Sequence, residues 1–156
     1  MRSKVYLETT IPSYLTAWPT RDLIKAAHQE ATREWWESRS RFKLYISQIV
    51  VTESAGGDSE AATQRLEALA GIPVLAVTAD AEALASDLME RGPIPKKAAI
   101  DALHIGVATV HGMDFLLTWN CTHIANAATR GEIESVCREN GLTPPTICTP
   151  IELMEI

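Results

Sequence analysis

The chain has 156 residues, 46% of them hydrophobic, and a formal net charge of −6. That length suits one compact core, and the acidic balance argues against a protein that coats nucleic acid non-specifically, because such binding neutralises phosphates with Lys and Arg. No apolar run reaches the roughly 18 residues needed to span a bilayer, and the N-terminus carries no signal-peptide h-region. Cys121, Cys137 and Cys148 form no CxxC pair. The expectation is a single cytoplasmic domain over residues 1–156, away from any membrane, with reduced, structural thiols.

In chain order, KVYLE (4–8) is the first short aliphatic run, and it ends on Glu8 before Thr-Thr-Ile-Pro leads into a helix. A carboxylate at the carboxyl end of a buried strand is costly to keep ionised unless a cation or water meets it. Glu8 therefore calls for a partner. Leu23, Ala27, Ala31 and Trp35 then recur at helical spacing, so Trp35 is read as core or subunit packing, with Trp36 exposed, rather than EWWES (34–38) as a base-stacking platform.

KLYIS (43–47) is the second strand. Ser47 is the expected N-cap of a short helix, which puts Glu53 in its second turn on the face of Ile49 and Val50. Ser59 and Gly71 bracket one further helix, and Thr78 and Gly92 another, with PVLAV (73–77) between them as the third strand. In KKAAIDALHIGVATVHG, the residues Ile100, Leu103, Val107 and Val110 form the expected core stripe. Small Ala99, Ala102 and Gly106 permit close approach, and Asp101 borders the stripe with Lys97 four residues before it as an available partner. DFLLT (114–118) and TICT (146–149) complete five strands, Asn120 follows the fourth, and Thr149-Pro150-Ile151-Glu152 has the form of a capping box with Pro at the first helical position.

Strands alternating with helices predict an α/β fold with a mostly parallel sheet, whose ligands bind outside the carboxyl ends of the strands where strand order reverses. No G-x-G-x-x-G follows a strand and no GK[ST] occurs, which argues against nucleotide cofactors. What remains is a set of oxygen donors: Glu8, Glu53, Asp101 and Asn120. Three carboxylates converge on one rim only if their repulsion is relieved, and a divalent cation does that. Oxygen ligands select Mg²⁺ or Mn²⁺ over zinc. His104 and His111 lie two helical turns apart, too far to share an ion, and His104 is read as core.

The strings VYLETTIPSYL, ISQIVVTES, KKAAIDALHIGVAT and LLTWNCTHIANA, over residues 4 to about 127, resemble a PIN-domain protein, and more narrowly a VapC-like toxin of a type II toxin–antitoxin pair. The resemblance implies a central five-stranded parallel sheet flanked by helices and a metal-dependent endoribonuclease. It also implies an RNA substrate, a cognate antitoxin and a homodimer. Glu8, Glu53, Asp101 and Asn120 fall on the family's four catalytic positions, although the first and fourth of these are commonly Asp. Glu8 and Asp101 are then the leading metal ligands, Glu53 a third ligand or the holder of a metal-bound water. Thr10 supports that shell, and Lys96 and Lys97 are placed to meet substrate phosphates. The competing expectation is a catalytically idle PIN-like module that binds RNA or protein.

Overall fold

The computed structural model describes residues 1–154. Its strands are β1 (Lys4–Leu7), β2 (Lys43–Ser47), β3 (Val74–Leu75), β4 (Phe115–Leu117) and β5 (Thr146–Cys148). The helices are α1 (Thr10–Thr16), α2 (Leu23–Glu37), α3 (Gln48–Ser54), α4 (Ser59–Leu69), α5 (Ala79–Glu90), α6 (Ala99–Val110) and α7 (Arg130–Glu139). All strand pairs are parallel, in the order β3-β2-β1-β4-β5, with Val5 in register with Leu44 on one side and Phe115 on the other. The expected five-stranded parallel sheet is therefore present.

Strand order reverses at β1. The chain first builds outward through β2 and β3, then crosses back through α6 to add β4 and β5 on the other side. The carboxyl ends of β1 and β4 thus flank the switch point, where α/β sheets open a crevice. Val5, Tyr6 and Leu7 are fully buried, as a central parallel strand covered on both faces requires. The third strand is shorter than the expected run over 73–77, because it lies at the sheet edge with only β2 for a partner and Val74 half exposed.

Several local expectations are corrected. Trp35 is fully buried and stacks on Phe42 with ring centres 5.7 Å apart, but Leu23 and Ala27 at the same spacing are exposed, so the buried part of α2 begins only at Gln29, with Ala31, Thr32 and Trp35 following. Trp36 is half buried under Arg39, whose guanidinium lies 4.4 Å from the ring centre. On α6, Ile100 is exposed and Leu103 and Val110 are only partly covered, while Ala102, His104, Ile105, Gly106, Val107, Ala108 and Thr109 are buried. The helix is wrapped over more than one stripe because α5 packs tightly along it: a Cβ on Gly106 would lie 2.5 Å from the Ala81 carbonyl oxygen. The Thr78 hydroxyl caps α5 by accepting from the Ala81 amide, whereas α4 is capped by Asp58 rather than Ser59. Thr149 and Glu152 make the expected reciprocal hydrogen bonds, but they close a turn and not a helix. Cys137 and Cys148 are buried, and Cys121 is exposed, so a purely structural reading holds for two of the three thiols. Among the described residues no helix is long and apolar enough to cross a membrane.

Candidate active site

Alternation along β1 puts Tyr6 and Glu8 on one side of the sheet. Glu8 is 4% exposed, and its Oε1 accepts from the Thr10 and Thr118 hydroxyls, each at 2.6 Å. Both hydroxyls are themselves oriented: the Trp119 amide donates to Thr10 Oγ1 and the Asn120 amide to Thr118 Oγ1, at 2.8 and 2.9 Å. A hydroxyl already accepting from the backbone has its proton free for the carboxylate. Within the chain, the partner that Glu8 calls for is thus a pair of threonines, both on Oε1. Its Oε2 takes no hydrogen bond among the described residues.

Glu53, on α3, is arranged in the same manner. Its Oε1 receives the Thr9 hydroxyl and lies 2.8 Å from His104 Nε2, again leaving Oε2 without a partner among the described residues. Burial alone would raise the Glu53 pKa. The His104 and Thr9 hydrogen bonds outweigh it, so the carboxyl is held below its ordinary range. His104 is fully buried, with Nδ1 2.7 Å from the Tyr6 hydroxyl, which is in turn 2.7 Å from Ser47 Oγ. Ser47 does occupy the N-cap position of α3, but its side chain makes no capping bond there.

Asp101 stands in the first turn of α6, on the face of His104 three residues later. It does not pair with Lys97: its Oδ2 lies 3.1 Å from His123 Nδ1. The His123 amide donates to Asn120 Oδ1 at 3.1 Å, so the Asn120 carbonyl oxygen holds the turn after β4. Lys96 and Lys97 are exposed in a single 3₁₀ turn ahead of α6 and form no ion pair among the described residues.

One hydrogen-bonded run therefore links Glu8 through Thr118, Asn120 and His123 to Asp101. Glu8, Glu53 and His104 each bring a ligand-type atom within 4.8 Å of the others, and Asp101 stands outside that group. Thr9, Thr118, His104 and His123 were not singled out as site residues from sequence. The spacing of His104 from Asp101 and of Thr118 from Asn120 were the available pointers. Two carboxylates, each with one oxygen saturated by protein donors and the other unengaged, fit a hard divalent cation.

The PIN domain family profile matches residues 6–120. No curated protein matches by sequence. Among solved structures, the fold is similar to VapBC2 from Rickettsia felis, determined bound to a DNA fragment from their promoter. There the identity is 16% and the TM-score 0.58, over 94% of this chain and 98% of that one. It is also similar to VapC20 from Mycobacterium tuberculosis, a Sarcin-Ricin loop cleaving toxin, with 18% identity and a TM-score of 0.60 over 76% of this chain and 91% of that one. With a profile match over most of its length and a five-stranded parallel sheet of the expected order, the chain belongs to the PIN-domain family.

Proposed function

We propose that the protein is a divalent-metal-dependent endoribonuclease acting as the toxin of a toxin–antitoxin pair, with residues 1–156 working as one PIN unit. The observation that carries this reading is the pairing of Glu8 and Glu53 at the switch point of the sheet, each with Oε1 saturated and Oε2 unengaged. VapC20, which shares the fold, is a Sarcin-Ricin loop cleaving toxin, which supports RNA as the substrate class. β5 pairs with β4 in the same sheet, which supports one functional unit beyond the profile-matched segment.

Glu8 and Glu53 would hold Mg²⁺ or Mn²⁺, with Asp101, which stands outside their group, joining when substrate completes the site; the ion would supply an activated water and stabilise charge on the phosphoryl oxygens. The chain's own groups do the rest. Thr10 and Thr118 fix the Glu8 carboxylate, and Glu53, kept ionised by its hydrogen bonds, can accept at Oε2 the proton of the attacking water. Asn120 braces the turn carrying His123, which orients Asp101. Lys96 and Lys97 lie exposed ahead of Asp101 and can meet flanking phosphates. Trp18, Leu23 and Ile24, exposed between α1 and the start of α2, offer apolar surface for an antitoxin or a second copy in a homodimer.

The test is cleavage of a mixed RNA pool with Mg²⁺ or Mn²⁺, with and without EDTA, by wild type and Glu8→Gln. Internal cleavage that requires the ion and Glu8 is expected. RNA binding without cleavage under every metal would instead favour the idle module.

A further inference from the structure

His104 is close enough to Glu8 and Glu53 to pass for a third metal ligand, yet both of its ring nitrogens are engaged. A ligating imidazole needs a free lone pair on the nitrogen facing the ion. The facing nitrogen here, Nε2, lies 2.8 Å from a carboxylate oxygen that has no proton to give. The hydrogen of that bond must come from the ring. On the other side, Nδ1 meets the Tyr6 hydroxyl, and Tyr6 meets Ser47, all inside the core. With Nε2 protonated and the ring neutral, Nδ1 can only accept, Tyr6 must donate to it, and Ser47 must donate to Tyr6.

We propose that His104 is a positioning residue rather than a ligand: a buried donor chain running Ser47 to Tyr6 to His104 to Glu53 fixes the Nε2–H tautomer and clamps Glu53 by Oε1, reserving Oε2 for the cation or its water. The proposal rests on the nuclease reading for the identity of what Glu53 receives, but the donor chain belongs to the metal-free protein. It also accounts for Ser47, whose hydroxyl stands at a helix N-cap and yet makes no capping bond. Tyr6 and Ser47 are drawn from the carboxyl-end halves of two adjacent strands, so the sheet itself places the hydroxyl that meets Nδ1.

The chain is read directly by ¹⁵N–¹H NMR of the ring nitrogens in metal-free protein, then on titration with diamagnetic Mg²⁺. The expected spectrum has His104 as the Nε2–H tautomer with Nδ1 accepting, retained when Mg²⁺ is added. Tyr6→Phe keeps the aromatic volume and should leave the Nε2–H that Glu53 enforces in place, while Nδ1 loses the signature of an accepted hydrogen bond. His104→Gln can still donate to Glu53 and should keep Mn²⁺ affinity within about threefold of wild type, whereas His104→Leu should lose roughly 10–100-fold, the usual cost of removing a group that orients a metal ligand. An Nδ1–H ring, or loss of the Nε2 proton on Mg²⁺ binding, overturns the proposal. So does undiminished Mn²⁺ affinity in a folded His104→Leu protein. A wild type that binds no Mn²⁺ overturns the metal site and the clamp's purpose, while the ring spectrum still decides whether the donor chain exists.

Discussion

Glu8 is 4% exposed and takes two threonine protons, whereas the Asp101 side chain is 22% exposed and has one histidine partner, itself 26% exposed. The threonines on Glu8 are aimed by amides of the segment leaving β4, so that carboxylate is lost only with the sheet. Asp101 is held by a side chain from the loop between β4 and α7, through a single partly exposed pair, worth about 1 kcal/mol. The site thus has a rigid half on the strands and an adjustable half on α6 and its facing loop. A substrate that completes the site would draw the adjustable half in while leaving Glu8 where it stands.

The sharpest way to break this contrast is Thr118→Val, which keeps the branched shape but leaves Glu8 with one donor and the Asn120 amide without its acceptor. We expect a loss of about 1–3 kcal/mol in urea unfolding and of roughly 10–100-fold in Mn²⁺ affinity or cleavage. A neutral variant would remove the distinction between the halves. Gly106→Ala comes next: its Cβ would press on the Ala81 backbone and push apart α5 and α6, the helix that carries Asp101 and His104. Overpacking of this kind costs about 1–3 kcal/mol. Thermal unfolding should fall accordingly, with Mn²⁺ affinity reduced through Glu53 more than through Glu8.

His123→Ala should be mild, changing stability by about 1 kcal/mol because the pair it breaks is single and partly exposed. Its effect should appear in cleavage kinetics and leave metal affinity nearly unchanged. A large stability loss would move Asp101 into the rigid half. Smallest of all is the pH dependence from Glu53. Its folded pKa is depressed below the ordinary 4.5, so its contribution is present above that value and fades as pH falls through the lower folded one. The stability gap between wild type and Glu53→Gln should shrink on acidification from pH 7, and a widening gap would contradict the assignment.

The same division marks what could be read in the sequence. Strand β2 matches its run over 43–47 residue for residue, and Glu8 and Asn120 stand where an α/β alternation places polar groups, because strand ends and turns are local features. The contacts that orient them are not local. His104 meets Glu53 from 51 residues away, and Thr118 meets Glu8 from 110. Helical periodicity misplaced the α6 core for a related reason. The stripe through Ile100 and Leu103 is the more apolar one, but α5 approaches along the small residues, and close backbone packing outranks side-chain hydrophobicity there. Lys97 was plausible as the neighbour of Asp101 by helical spacing, yet the chain turning back after Asn120 brings His123 instead.

The central claim is that Glu8 and Glu53 together hold a divalent cation, and calorimetric titration of Mn²⁺ into RNA-free wild type and Glu8→Gln tests it most directly. The glutamine keeps an oxygen for the two threonine hydroxyls and nearly the same shape, so the fold should survive while one anionic donor is lost. The account predicts a single bound ion in wild type and loss of most of that affinity in Glu8→Gln. Equal affinity in both proteins, or no binding in wild type, would contradict it.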